Sequence, residues 1–342
     1  MPLFKYKITG PDTRKFLSFV LVRDVHKVKP GRVIYTCWCD DNGHVMDDGT
    51  VMCKDDNEFY LTAAIPSFAW LNRLKLSFDI EIEDITEDYA ILGVQGPFSK
   101  ELLNQLGSEK GKELKFFRFL EEQIQGVSTI ISRTGYTGDL GYEIWLKPED
   151  AEKFWKIIYP ETKLLGGAAC GLDALDITRV EAGFIMNGVD YYSANQCIVN
   201  SRKSTPYEIG LGWSVRLKRD EFMGQQALIE SQKKPQEWKT VGIEYDWEAY
   251  EQHFAKLGLP PELSTSAWRT SVPIYDNSRY QIGYATSGTW SPILKKNIAI
   301  ATIKNNHKQP NVQIEIKVEH KRKTVPATIV EMPFFNPERK KA

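Results

Sequence analysis

Two short segments concentrate the groups that could do chemistry. The first is Gly43-His44-Val45-Met46-Asp47-Asp48-Gly49-Thr50-Val51, where two carboxylates interrupt a stretch that otherwise reads as a β-strand of the usual branched and apolar residues. Carboxylates can exchange a proton or accept hydrogen bonds from a ligand. Successive strand residues face opposite ways, so only one of Asp47 and Asp48 can enter a given cavity. The same letters also suit a bulge or turn at Asp48-Gly49. The second segment, Ser132 to Glu143 (SRTGYTGDLGYE), packs three glycines, two tyrosines and an acid into a short hairpin connection. That composition suggests backbone held close to a planar ligand. A tight hairpin with nothing bound would account for Gly138 and Gly141 but not for Glu143.

Other chemistries lack their letters. There is no GxxxxGK[ST] for phosphates, no GxGxxG after a strand and no GxSxG elbow. No HExxH or CxxC occurs and the five histidines are scattered, so no metal site is expected. The five cysteines, Cys37, Cys39, Cys53, Cys170 and Cys197, are an odd number, which argues against a disulfide framework and reads as reduced, buried structural thiols.

The elements that must position these residues repeat. Ile8-Thr9-Gly10-Pro11 leads into DTRKFLSFVL, and Val94-Gln95-Gly96-Pro97 leads into FSKELLNQL. Each reads as strand, corner and helix, with Pro at a helical start where its missing N–H costs nothing. After the first corner, 32–40 and 44–53 read as strands joined by Asp41-Asn42-Gly43. Residues 58–63 then extend the sheet, 67–76 read as a helix and 78–83 as a strand, approximately βαββαβ. The second unit gives strands at 89–94, 127–133 and 142–146, with a helix from Pro148 to Ile158. By this repeat Glu143 falls on the strand equivalent to the one bearing Asp47 and Asp48, so two acids would meet near a pseudo-symmetric interface.

A further helix is expected over 173–183. Beyond Lys233-Lys234-Pro235 the texture changes to short strands, with a helix inserted near 248–261, and reads as a small barrel or sandwich. Arg339-Lys340-Lys341 reads as a solvated tail. The resulting expectation is an α+β chain: residues 1–233 form a pseudo-duplicated, ferredoxin-like domain, and residues 234–337 a small β-barrel.

The composition is compatible with that plan. The chain has 342 residues, 42% hydrophobic and 12% aromatic, enough for about two domains. Its 44 Lys plus Arg nearly cancel 45 Asp plus Glu, so nothing marks it for nucleic acid or an anionic membrane. No apolar run nears the ~20 residues of a membrane span, and MPLFKYKITG lacks a signal peptide's apolar stretch, which makes the cytoplasm the default address.

The motifs resemble one family through nearly the whole length: ITGPD, DDNGHVMDDGTV, VQGP, SRTGYTGDLGYEIWL, GLDALDITRVEAG, TPYEIGLGW, ATSGTWSPILKKNIAIA and MPFFNP. It is the glycine cleavage T-protein, or aminomethyltransferase, family of tetrahydrofolate-dependent one-carbon enzymes. The same superfamily includes domains fused to sarcosine and dimethylglycine oxidases, and free-standing demethylases of dimethylsulfoniopropionate or methoxylated aromatic acids. The resemblance implies a folate-binding domain, tetrahydrofolate as cofactor, and Asp48 as the catalytic carboxylate beside the folate nitrogens that receive the carbon. It implies Glu143 as the residue whose two oxygens match the paired N–H donors of the pterin, with Tyr35, Tyr136, Thr62 and Arg133 around the cofactor.

Departures from the family pattern refine this. Family members acting in glycine cleavage carry a ligand-binding arginine just after GLxA, where this chain has Leu175, and Thr62 replaces a usual asparagine. Relatives also carry some tens of residues before KYKITGP, including an FAGW-like segment, so the start is expected to be naturally short or placed late, leaving part of the pocket missing. The leading expectation is a transferase that demethylates a small N-, O- or S-methylated compound. The alternative is an aminomethyltransferase acting on lipoylated H-protein. A non-catalytic folate-binding assembly factor ranks third, since the Lys-Gly-Cys-Tyr run of such relatives does not occur.

Overall fold

A computed structural model describes residues 3–341. The first unit runs β1 (Phe4–Thr9), α1 (Thr13–Val20), β2 (Arg32–Cys39), β3 (Val45–Cys53), β4 (Glu58–Ala63), α2 (Phe68–Leu74) and β5 (Glu81–Asp84), with sheet order β2-β3-β4-β1-β5. The β2–β3 hairpin turns where expected because the Asp40 carboxylate accepts from the backbone N–H of Asn42 (3.0 Å) and His44 (2.9 Å), and Gly43 takes φ of 75°. Phe16, Leu17 and Val20 of α1 and Leu71 of α2 bury against Tyr6, Ile8, Val51, Phe59 and Leu61, so both helices cover one face.

The second unit repeats the plan: β6 (Ala90–Gln95), α3 (Ser99–Gln105), β7 (Phe119–Ile124), β8 (Val127–Ser132), β9 (Gly141–Leu146) and α4 (Pro148–Leu164), ordered β6-β9-β8-β7. Its helices also bury on one face, through Leu103 and Phe154. Ile8 lies across from Phe59 as Val94 lies across from Tyr142. This register corrects one expectation. Strand β7 was not anticipated, because Glu121-Glu122-Gln123 breaks any alternation of apolar residues. With β7 in place, the strand bearing Glu143 corresponds to β4 rather than to β3, and Glu143 occupies the position of Tyr60.

The two sheets meet at their edges. The Val33 N–H donates to the Phe117 carbonyl and the Phe119 N–H to the Gly31 carbonyl, both at 3.0 Å, across an antiparallel bridge of Arg32 with Arg118. The faces turned away from the helices share a core of Val33, Met52, Tyr60, Ile85, Phe119, Ile130 and Trp145. Strand alternation puts Tyr35, Asp48, Thr62 and Glu143 on these same faces. In each of the four strands the change from apolar to polar runs in one direction, from Val33 to Tyr35, Met52 to Asp48, Tyr60 to Thr62 and Trp145 to Glu143. The inter-sheet layer is therefore greasy at one end and lined with polar groups at the other.

Helix α5 (Leu172–Glu181) and α6 (Gln225–Gln232) precede a closed six-stranded barrel of β10 (Trp238–Tyr245), β11 (Val272–Tyr275), β12 (Gln281–Ser291), β13 (Lys296–Lys304), β14 (Asn311–Val318) and β15 (Lys321–Val330), with α7 (Trp247–Ala255) inserted after β10. Ile243, Ile274, Ala299, Ile303, Ile314 and Ala327 pack its core. Ile298 and Ile300 pack instead with Cys37 and Val45 of the first sheet, so the barrel closes over the polar end of the layer. Among the described residues, no helix is long and apolar enough to cross a membrane.

Two smaller expectations fail. Arg339 is exposed but not on a free tail: its guanidinium forms a bidentate pair with Asp139 at 2.6 and 2.7 Å, returning the C-terminus to the glycine-rich hairpin. Of the cysteines, Cys37, Cys39 and Cys53 are buried, but Cys170 is exposed and Cys197 half-buried, because both lie in loops beside α5.

Candidate functional site

Residues 45–53 form one strand, and the irregularity in its pairing lies opposite Trp38 and Cys39, ahead of Asp47. Asp48 therefore sits in regular strand across from Cys37, and the alternative reading of a turn at Asp48-Gly49 does not hold. Gly49 has a steric reason instead: a Cβ there would stand 1.9 Å from the Thr62 carbonyl oxygen of β4.

The two neighbouring acids have opposite surroundings. Asp47 is fully buried; one oxygen accepts from the N–H of Ala64 (2.9 Å) and Ile65 (3.0 Å), the other from Asn187 Nδ2 (2.8 Å). Burial, with the charge of Asp48 beside it, pushes its carboxyl up to about 7. Asp48 is held by phenols. Tyr35 donates to Oδ2 at 2.7 Å and Tyr191 donates to Oδ1. Burial raises the Asp48 pKa above the ordinary aspartate value, while both phenols oppose the rise by favouring the ionised form. Burial and the facing carboxylate in turn hold the Tyr35 and Tyr191 hydroxyls protonated, well above the usual tyrosine range.

Tyr35 stacks on Trp213, with ring centroids 6.2 Å apart. Tyr136 stacks on Phe184 and donates to the Ile185 carbonyl at 3.0 Å. Tyr35 and Asp48 thus come together, and Tyr136 reaches the segment that carries Tyr191. Asn187 and the phenol contact of Tyr191 were not legible in the sequence: nothing local in Asn187-Gly188-Val189-Asp190-Tyr191 points to β3.

Glu143 lies on β9, facing the inter-sheet layer. Thr134 Oγ1 donates to its Oε2 at 2.5 Å, and Thr134 shares a 2.7 Å hydrogen bond with Ser132. Burial raises the Glu143 pKa and these hydroxyls lower it. The glycines around it serve a different purpose from the one expected. A Cβ on Gly135 or Gly141 would stand 2.1 or 2.0 Å from Gln95 Oε1. Gln95 Nε2 donates to the carbonyls of Thr134 (3.3 Å) and Tyr142 (3.0 Å), and its Oε1 accepts from Thr137 (3.1 Å). The crowded backbone of GYTGDLG is thus filled by a side chain of β6, which fixes the hairpin and with it Thr134 and Glu143.

The remaining two candidates bond elsewhere. Thr62 is 2% exposed and its hydroxyl accepts from the Thr50 N–H at 2.8 Å, tying β4 to β3 beneath Asp48. Arg133 donates from Nη1 to the Leu114 carbonyl at 3.0 Å and from Nη2 to the Lys340 carbonyl at 3.4 Å, anchoring a loop and the C-terminal segment.

Comparison with known proteins agrees with the fold and with these motifs. Residues 2–219 match the GCVT N-terminal domain, and residues 257–336 match the glycine cleavage T-protein C-terminal barrel domain. The chain is 32% identical over 337 residues to an aminomethyltransferase of Anoxybacillus flavithermus (strain DSM 21510 / WK1), covering 97% of this chain and 84% of that one. It is also 32% identical over 351 residues to a trimethylamine-oxide aldolase of Ruegeria pomeroyi (strain ATCC 700808 / DSM 15171 / DSS-3), covering 98% of this chain but 41% of the relative. The crystal structure of glycine cleavage system aminomethyltransferase T from Bartonella henselae shares the fold, with a TM-score of 0.80 at 24% identity over 98% of this chain and 84% of that one. This chain is therefore an enzyme of the glycine cleavage T-protein, or aminomethyltransferase, family, whose one-carbon chemistry uses tetrahydrofolate.

Proposed function

We propose that the chain is a tetrahydrofolate-dependent methyl or one-carbon transferase that demethylates a small N-, O- or S-methylated compound. One observation supports the reading: Asp48 and Glu143, from different sheets, face the polar end of one inter-sheet layer, with Tyr35 and Tyr191 bonded to Asp48. That donor set fits a reduced pterin, which offers paired N–H groups for a fixed carboxylate, a flat ring for Tyr35 and Tyr136, and a nucleophilic N–H for a base. Bound there, tetrahydrofolate would supply the nitrogen that takes up the carbon.

The chain's residues then divide the work. Glu143, fixed by Thr134, accepts from the pterin N–H pair and sets ring orientation. Asp48 would take up the proton of the folate nitrogen that receives the carbon, and the donor's leaving group would keep the electrons of its broken bond. Tyr35 and Tyr191 keep Asp48 ionised and aimed until that moment. Leu175, 37% exposed on α5, stands where glycine cleavage enzymes carry a ligand-binding arginine, and this favours a donor without that arginine's partner. The relative named for trimethylamine oxide supports the same branch.

Incubation with tetrahydrofolate and a panel of N-, O- and S-methylated donors is expected to give 5-methyl-tetrahydrofolate from at least one, or 5,10-methylene-tetrahydrofolate from an N-oxide donor, whose broken N–O bond takes up the two electrons. No product from any donor would overturn the proposal. The second reading, transfer from aminomethyl-lipoylated H-protein, draws on the aminomethyltransferase relatives, and ammonia release from that donor would establish it in place of the first.

A further inference from the structure

The phenol of Tyr191 reaches Asp48 from a segment whose fastening lies in the barrel. Arg179 is fully buried; its Nε donates to Asp176 Oδ1 (2.7 Å), and its Nη1 donates to Asp190 Oδ2 (2.6 Å) and to the Phe184 carbonyl (3.2 Å). Asp190 Oδ2 also accepts from the Met186 N–H at 2.9 Å. Its other oxygen accepts from Thr286 Oγ1 at 2.5 Å and Ser287 Oγ at 2.6 Å, both on β12. Asp190 is therefore the point at which the 184–191 segment, α5 and the barrel are tied together. Its neighbours in sequence reach the acid pair: Asn187 donates to Asp47 and Tyr191 to Asp48.

The barrel's part requires a departure from regular strand. Consecutive strand residues point to opposite faces, so Thr286 and Ser287 could not both reach one oxygen in an unbroken β12. The pairing of β12 with β13 shifts between Ala285 and Ser287, which puts the extra residue at Thr286 and turns both hydroxyls toward Asp190. A buried ion pair is a poor source of net stability compared with apolar packing, so a carboxylate saturated by donors from three elements is better understood as a positioning device.

Resting on the assignment of Asp48 as base, we infer that Asp190 is a positioning residue through which Thr286 and Ser287 of the barrel hold the Tyr191 phenol on Asp48 and so set the acidity of the catalytic carboxylate. The groups facing Asp48 are Tyr35 and Cys37 from β2, Asp47 from β3, Tyr136 from the hairpin and Tyr191 from this segment. Of these, Tyr191 belongs to the tied segment and bonds Asp48 directly, while Asp47 and Tyr136 meet that segment through Asn187 and the Ile185 carbonyl. Loosening Asp190 removes a donor from the ionised form, so the Asp48 pKa rises.

The test is the pH profile of kcat with the donor found active for the wild-type enzyme. Thr286→Val combined with Ser287→Ala is expected to move the acid limb upward by about 0.5 pH unit or more, the scale of one lost donor. Thr286→Ser should restore the wild-type limb. In a Tyr191→Phe background, which by itself raises the limb, the barrel substitutions should add no further shift. If the double variant does not fold, Ser287→Ala alone carries the test, with a smaller shift in the same direction. An unmoved limb in a folded variant, or a shift that adds fully to that of Tyr191→Phe, overturns the inference. Wild-type enzyme inactive with every donor would instead sink the assignment on which it rests.

Discussion

Asp48 and Glu143 are carboxylates of the same inter-sheet layer, held in contrasting ways. Glu143 is fixed within its own hairpin, by a hydroxyl nine residues away in sequence that is itself bonded to Ser132. Asp48 is fixed by Tyr35 of the next strand and by Tyr191, 143 residues further along the chain. An acid held locally is set once its hairpin forms, and it suits recognition of an unchanging donor pair. An acid held by a distant phenol has an acidity that tertiary structure can adjust, which suits a group that must take up a proton and return it. The repeat thus supplies two similar sheets, and of the two acids only Asp48 is held by a residue from beyond them.

The contrast can be broken by substitution. The largest effect is expected from Asp48→Asn, which should lower kcat by about 10²- to 10⁴-fold, the scale of a lost general base, while tetrahydrofolate still raises the melting temperature. Near-normal turnover would remove Asp48 from the chemistry. Glu143→Ala should act on binding, weakening tetrahydrofolate affinity roughly 10- to 100-fold as expected for a charged hydrogen-bond partner. An undiminished ligand-induced thermal shift would make Glu143 structural.

Paired conservative changes sharpen the comparison. Tyr191→Phe removes a donor from Asp48 and should move the acid limb of kcat to higher pH. Thr134→Val does the equivalent at Glu143 and should weaken binding without moving that limb. If the two exchanged effects, the roles assigned to the acids would be reversed. The smallest effect concerns Asp47. Its folded pKa of about 7 lies above the unfolded value near 3.8, so the folded state binds the extra proton between them. Stability from this group is fully present below the lower value and lost as pH rises through the upper one. Thermal denaturation of wild type across that window should show a decline that Asp47→Asn makes shallower.

Much of the scaffold was legible because its signals are local. The Gly-Pro corners, the Asp40-to-Gly43 turn and the run of short strands after Lys233 each act within a few residues, and each formed where expected. Asp48 was legible for a related reason, as an acid interrupting an otherwise ordinary strand. What failed depends on distant partners. Strand β7 is polar along Glu121-Glu122-Gln123 and exists by pairing with β8 and meeting β2, which no alternation announces. The glycines of GYTGDLG imply crowding, but the crowding atoms belong to Gln95 at Gly135 and Gly141 and to Ala182 at Gly138. Arg339 stays exposed, and nothing local announces its pairing with Asp139. The tie from β12 through Asp190 to Tyr191 depends on a bulge at Thr286 that its sequence does not mark.

The central claim is that one pterin is gripped by a locally fixed Glu143 and served by a phenol-held Asp48. A crystal structure with tetrahydrofolate bound tests it most directly. The account predicts Glu143 accepting from the paired N–H groups of the pterin and Asp48 within hydrogen-bond distance, below ~3.5 Å, of the folate nitrogen that receives the carbon. A pterin seated away from either carboxylate, or turned so that Asp48 meets only its far edge, would contradict it.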